Sequence, residues 1–274
     1  MTLKEFPNQT TTLITGGSGT LGKEIRKTID AKRLESLTIG SVNMPSHRDM
    51  PIESFGHVRK EIQKWFPSCV LHLAAMTNIV ECEKNKKRAW EINVLGTYNL
   101  LKACEKYVPQ CYFVYISTPC VFEGGMINEC KPIERFENDF PNPNTYYGFT
   151  KAIAESMVRM YSGAWCIIRV NFRPKEKYKS PKAFTDRFSN FLFADETAKA
   201  INEIMEDGKT GMVHVAGDRM MSMLEFARMC PDSENVEPLT LEEFYTKNPN
   251  FRKLPKYVML GSREWKKYTA RGLR

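Results

Sequence analysis

Apolar positions along the chain fall into two spacings that alternate. Thr11-Thr12-Leu13-Ile14 is a short β-branched and apolar run that reads as a strand, and a glycine turn follows it. Leu21, Ile25 and Ile29 then recur at the four-residue interval of one helix face. The order returns: residues 36–39 read as strand and 58–66 as helix, then Val70-Leu71-His72-Leu73-Ala74-Ala75 as strand and 86–107 as a long helix. A strand at 112–116, a helix at 147–161 and a strand at 166–169 extend the series of β-α units. This pattern predicts an α/β fold, a Rossmann-type doubly wound parallel sheet.

Two stretches break the alternation. Residues 118–144 are rich in Pro, Gly, Asn and acidic side chains, which marks a long irregular connection lying where strands end. From 171 to 190 the run Arg173, Lys175, Lys177, Lys179, Lys182 and Arg187, with two prolines, reads as a second loop. A helix over 194–206, a strand over 212–215 and a short helix over 223–229 follow. Residues 1–170 therefore read as the sheet domain, with the helix at about 194–207 returning to it. Residues 171–193 and 208–274 read as a small C-terminal lobe.

With 42% hydrophobic and 26% charged residues, the 274-residue chain has the composition of a soluble globular protein. Residues 1–9 contain no apolar run, and nowhere do about 18 apolar residues stand together. Neither export nor a membrane span is expected, and the reading is cytoplasmic. The eight cysteines are scattered without a CxxC pair, several inside apolar runs, as reduced buried thiols are. The net charge of +8 is local: 252–274 carries eight Lys/Arg against Glu264 alone. Without zinc-finger spacing, such a tail reads as a solvated face or an anionic-ligand rim, and no nucleic-acid partner is expected. Four scattered histidines give no metal site, and His72, inside an apolar strand, reads as a satisfied core residue.

The candidate chemistry lies in two places. Gly16, Gly19 and Gly22 stand three apart between the first strand and its helix. Such glycines let the backbone turn tightly and approach a pyrophosphate, which rests on the amides that open the helix, here at Gly19, Thr20, Leu21 and Gly22. A carboxylate about 20 residues on would mark NAD, because it accepts the ribose 2′-hydroxyl. None stands there. The second strand runs into Gly40-Ser41-Val42 with Arg48 beyond, so Ser41 and Arg48 are the candidate ribose contacts, and NADP(H) is favoured over NAD(H). Far downstream, Tyr147 and Lys151 are one helical turn apart and share a face. A phenol titrates near 10 in water, and an adjacent ammonium would make it a usable acid.

These residues carry a specific resemblance. GxxGxxG at 16–22, His72-Leu73-Ala74-Ala75, Asn93-Val94-Leu95-Gly96-Thr97, Ile116-Ser117-Thr118, Phe122-Glu123-Gly124, Glu129, Pro143 to Gly148 with Lys151, and Val213 to Gly217 occur in order. The chain resembles the extended short-chain dehydrogenase/reductases, and within them the dTDP-4-dehydrorhamnose reductase group. The resemblance implies a nicotinamide cofactor across the sheet ends, walled by Ala74 and Ala75, in a domain at 1–170. It implies a C-terminal lobe binding a UDP- or dTDP-linked sugar, with a homodimer possible. Hydride would reach the C4 ketone of a 4-keto-6-deoxyhexose. Tyr147 would protonate the oxygen, Thr118 would hydrogen-bond to it, and Lys151 would lower the tyrosine pKa and contact the ribose. Asn93 would orient the polar network near Lys151.

One departure bears on activity. Simple rhamnose reductases read Ser-Thr-Asp-Tyr where this chain has Ser117-Thr118-Pro119-Cys120. A cysteine at that offset is similar to GDP-fucose synthase and to bifunctional UDP-rhamnose synthases, which epimerise C3 and C5 before reducing C4. A thiolate can remove protons beside a ketone, so Cys120 is a candidate base, with a small buried hydrophobe as the alternative. The acid on the opposite face would be a lysine of the 171–190 loop, Lys182 in first place. Two other readings remain: a nucleotide-sugar epimerase or dehydratase on the same fold, and a non-catalytic NADP-binding regulatory subunit. Intact Thr118, Tyr147 and Lys151 weigh against the latter.

Overall fold

Six strands, β1 (Thr11–Thr15), β2 (Ser41–Asn43), β3 (Cys69–His72), β4 (Tyr112–Ser117), β5 (Trp165–Val170) and β6 (Gly211–Val215), form one sheet in the computed structural model of the chain. Its order is β6-β5-β4-β3-β1-β2, and every pairing is parallel. Residues 11–34, 40–127, 131–249, 251 and 254–263 are described. The chain leaves β1, adds β2 on one side, then crosses to add β3 and all later strands on the other. That reversal opens a crevice at the carboxyl ends of β1 and β3, where a doubly wound sheet receives its ligand.

Alternate residues of the strands feed two cores, as the two-residue period of a strand requires. Ile14, Leu71, Val114, Ile168 and Val213 pack with α1 (Thr20–Leu34) and α7 (Ala194–Glu206) through Leu21, Ile25, Ile201 and Ile204. Leu13, Val70, Phe113, Tyr115 and Ile167 face α2 (Phe55–Trp65), α5 (Gly96–Tyr107) and α6 (Tyr146–Arg159) through Val58, Ile62, Leu100, Cys104, Ala154 and Val158. α3 (Ile79–Lys84) and α4 (Lys86–Trp90) precede α5.

The expected helix over 86–107 exists with an interruption: a π turn, Glu91–Leu95, joins α4 to α5. Asn93 stands buried within that turn. The expected second strand at 36–39 falls outside the described residues, as do Glu129, Cys130 and most of the basic tail. Among the described residues this edge strand covers Ser41–Asn43. Short strands also occupy the loop at 171–190. Phe172–Arg173 pairs with Leu192–Phe193, and Lys182–Phe184 pairs with Glu237–Leu239. Phe188–Ser189 lies between Met221–Ser222 and Tyr257–Leu260, and the latter also pairs with Glu134–Arg135. Two- and three-residue strands are too short for any period to show. They bring the 134–135 and 254–263 segments, α8 (Met223–Arg228) and α9 (Leu241–Lys247) together beside the crevice. Among the described residues no helix is long and apolar enough to cross a membrane.

Candidate active site

A cavity of about 550 Å³ opens over the carboxyl ends of the sheet. Its floor is the glycine turn. Gly16 has φ +72°, and a Cβ on it would lie 2.7 Å from the Ala74 amide nitrogen; one on Gly22 would lie 2.5 Å from the Gly16 carbonyl oxygen. Glycine is thus needed where β1's exit passes β3's exit and where α1 packs onto its own turn. α1 has no acidic residue in its first turn, so its unpaired amides present undiminished positive potential. This is a backbone cradle of the kind that fits a dinucleotide pyrophosphate. Gly19, Thr20, Leu21, Ala74 and Ala75 all line the cavity as expected.

Buried polar contacts hold that floor. Thr15 Oγ1 accepts from the amides of Leu73 (3.2 Å) and Ala74 (3.1 Å) and donates to His72 Nδ1 (2.7 Å). His72 Nε2 therefore carries the proton and donates to Thr97 Oγ1 at 3.0 Å. Burial and the Lys151 charge draw the His72 pKa down to about 3, so the ring stays neutral. The core reading of His72 holds. Asn93 is 1% exposed and does not line the cavity. Its Oδ1 accepts from Met76 N (2.8 Å), and its Nδ2 donates to Met76 O and Thr150 Oγ1 (both 3.0 Å), which ties the segment after β3 to α6.

The opposite wall carries the two candidate hydroxyls, Thr118 and Tyr147. α6 starts from an N-cap in which Thr145 accepts from Gly148 N, and its first turn presents Tyr147. Thr118 caps the turn Pro119–Val121 and accepts from Cys120 N at 3.2 Å. Burial pushes the Tyr147 phenol well above its usual range, opposed by the nearby Thr118 hydroxyl and by the Arg173 charge, so it keeps its proton at neutral pH. Lys151 lines the cavity too, with its ammonium turned inward. Its Nζ donates to Ile116 O at 2.7 Å and lies 4.0 Å from the Tyr115 ring centroid, directed to β4 rather than to the phenol. Burial brings its pKa down to about 7, against the upward pull of Glu155.

Three sequence candidates fall elsewhere. Ser41 stands at the start of β2, bonded to Thr11 at 2.9 Å, at the opposite end of the sheet from the crevice. The error follows from the strand's placement: residues after Asn43, not Ser41, reach the ligand end. Arg48 is exposed and off the cavity, whereas its neighbours Pro45 and His47 line it. Lys182 sits on a strand edge 3.0 Å from Glu237 and also lies off the cavity. Arg173 and Arg187 of the same loop do line it, beside Cys120. Glu53, held by Arg88 at 2.6 Å, lines the cavity as well, without any motif in the sequence to mark it. Among the described residues no cluster could hold a metal ion.

A parallel sheet with a glycine cradle at its switch point, and a helix bringing Tyr147 and Lys151 over the same cavity, define a Rossmann-type protein of the short-chain dehydrogenase/reductase kind. The chain belongs to the RmlD substrate binding domain family, whose profile matches residues 10–177. It is 26% identical to the spore coat polysaccharide biosynthesis protein SpsK of Bacillus subtilis, over 93% of this chain and 90% of that one. It is 24% identical to a dTDP-4-dehydrorhamnose reductase of Aggregatibacter actinomycetemcomitans, over 78% and 76%. A dTDP-4-dehydrorhamnose reductase of Bacillus anthracis, crystallised with NADP, shares the fold with a TM-score of 0.80 at 22% identity, covering 94% and 92%. That of Clostridium acetobutylicum superposes with a TM-score of 0.79 at 25% identity, covering 94% and 92%.

Proposed function

We propose that the protein reduces the C4 ketone of a nucleotide-linked 4-keto-6-deoxyhexose with NADPH. The observation that carries this reading is the pair of hydroxyls, Thr118 and Tyr147, on the wall of the cavity whose floor is the glycine cradle. The cofactor supplies hydride. Tyr147, protonated at rest, gives its proton to the ketone oxygen as hydride arrives. Thr118 already accepts from the Cys120 amide, which leaves its own proton to donate to the same oxygen. Lys151 and Gly16 to Gly22 would hold the cofactor, and β2 ends at Asn43, followed by Met44-Pro45, with no carboxylate directly at the strand end to disfavour a 2′-phosphate. NADP in the Bacillus anthracis relative supports the preference. The nucleotide-sugar would lie against the 171–193 and 208–263 segments, with Arg173 and Arg187 facing its diphosphate.

Cys120 adds a finer step. It is half-buried, lines the cavity two residues beyond Thr118, and as a thiolate would take the acidic protons at C3 and C5 before reduction. Lys182 is withdrawn as its partner, because it is held by Glu237 outside the cavity. The test mixes the protein with NADPH and UDP- or dTDP-4-keto-6-deoxyglucose and no separate epimerase, and follows NADPH absorbance. Oxidation supports both activities. Oxidation only after an epimerase is added leaves a plain reductase with a structural Cys120. No oxidation in either case refutes the reductase reading and leaves a nucleotide-binding regulatory subunit.

A further inference from the structure

Behind the catalytic wall lies a row of buried charges that the proposed chemistry does not use. Ser117, Arg169 and His214 are register partners on β4, β5 and β6, so they stand side by side beneath α6. Glu155 on α6 meets them from above. Its Oε1 accepts from Ser117 Oγ (2.6 Å) and Arg169 Nε (2.9 Å), and its Oε2 accepts from Arg169 Nη2 (2.7 Å). Arg169 Nη1 donates to His214 Nε2 at 3.1 Å, which places the histidine proton on Nδ1, where it donates to Gly261 O at 2.8 Å. The Phe122 ring covers the guanidinium at 4.7 Å. Glu155, Arg169 and His214 are at most 1% exposed.

A buried ion pair is weak evidence of added stability, because desolvation offsets most of the attraction. What distinguishes this one is its placement. Glu155 is one helical turn beyond Lys151, and its hydrogen-bonded Ser117 directly precedes Thr118. We propose that Glu155 is a positioning residue for the reaction: from one carboxylate it holds the Ser117–Thr118 exit of β4 and supplies the counter-charge for Lys151. Its second function needs the carboxylate itself, not only a filled space. The groups facing Lys151 are the Tyr115 ring and Ile116 carbonyl of β4, His72 of β3, and Glu155 of its own helix. His72 stays neutral, so Glu155 is the negative charge among them. Burial brings Lys151 down to about 7 even with Glu155 pulling the other way, so losing that carboxylate would lower it further.

This inference rests on the reductase reading for turnover but not for binding, so it is tested on both. NADPH affinity is measured by fluorescence from pH 5.5 to 9 for the parent protein, Glu155→Gln, and Glu155→Gln combined with Arg169→Met. The double variant removes the pair without leaving a lone buried charge, so it keeps the comparison decisive if the single variant does not fold. Ionisation of the 2′-phosphate is common to all and cancels in the comparison. The expected result is a folded double variant whose loss of NADPH affinity with rising pH sets in at least half a pH unit lower than the parent's. A double variant with the parent's pH profile would make the pair purely structural and overturn the proposal. Ser117→Ala removes one hydrogen bond and no charge. It should lower kcat on the 4-keto sugar about tenfold with the NADPH profile unmoved, and an unchanged kcat overturns the positioning of Thr118. If the parent turns over no sugar at all, the reductase reading fails while the binding comparison still decides the role of Glu155 toward Lys151.

Discussion

Alanine in place of Gly148 would set a Cβ 2.0 Å from the carbonyl oxygen of Cys120, 2.9 Å from its carbonyl carbon and 3.0 Å from Pro143 Cβ. Ordinary contact begins at 3.4 Å, so the closest pair must part by 3.4 − 2.0, about 1.4 Å. Neither side yields cheaply, because the atoms struck at closest range are backbone. α6 and the turn Pro119–Val121 must therefore separate by about 1 Å, and that movement pulls Tyr147 from Thr118. Overpacking of this kind costs roughly 1–3 kcal/mol. At about 2–4 °C per kcal/mol for a chain of this size, Tm should fall by about 2–12 °C. Catalysis should suffer more, because a 1 Å misplacement of reacting groups costs on the order of 100-fold. The glycine cradle lies on the other wall, so NADPH affinity should stay within about threefold. The assay is thermal unfolding, steady-state turnover and NADPH fluorescence titration on one preparation. Turnover within twofold of the parent would refute the claim that α6 and the 119–121 turn set the distance between the two hydroxyls.

Other outcomes follow from the same coordinates. Gly22→Ala places a Cβ 2.5 Å from Gly16 O and 2.6 Å from Gly17 Cα, and should weaken NADPH binding at least tenfold while the sheet still forms. Gly56→Ala in α2 meets nothing within 4 Å, so its Tm should rise or hold, by up to about 1 kcal/mol of stability; a fall would contradict the packing. His72 and His214 have pKa values drawn by burial to about 3 and about 4, below the usual imidazole value of about 6.5. The unfolded chain binds more protons than the folded one in that window, so their contribution is present above pH 6.5 and lost as pH falls toward 4. The urea midpoint should drop markedly between pH 7 and 4.5, and a flat midpoint would count against two neutral buried rings. Cys120→Ser should abolish solvent deuterium exchange at C3 and C5 yet still reduce a pre-epimerised ketone. Retained exchange would remove the thiol from that role.

Most of the sheet and its glycine cradle were legible because long apolar strands and four-residue helix spacing leave unambiguous periods. The helix at 194–206 matches its prediction residue for residue. Ser41 was misplaced, since a three-residue strand among polar neighbours carries no period to fix which end of it meets the ligand. The π turn was invisible for another reason: one extra residue in a helix leaves the apolar spacing on either side nearly intact. Lys182 and Arg187 stood in the same charged run, and only pairing with 237–239 and 257–260 decides which side chain turns inward. Glu155 had a sequence signal, a carboxylate one turn past Lys151, but its meaning required knowing that Arg169 and Ser117 lie opposite it.

The central claim is that the Tyr147 phenol, not a side chain elsewhere in the cavity, delivers the proton to the ketone oxygen. Tyr147→Phe keeps the ring and removes only the hydroxyl, so single-turnover NADPH oxidation with the 4-keto sugar isolates that step. The account predicts NADPH affinity near the parent's and a rate lower by roughly 10²–10⁴. A Phe variant that oxidises NADPH at the parent's rate would contradict it.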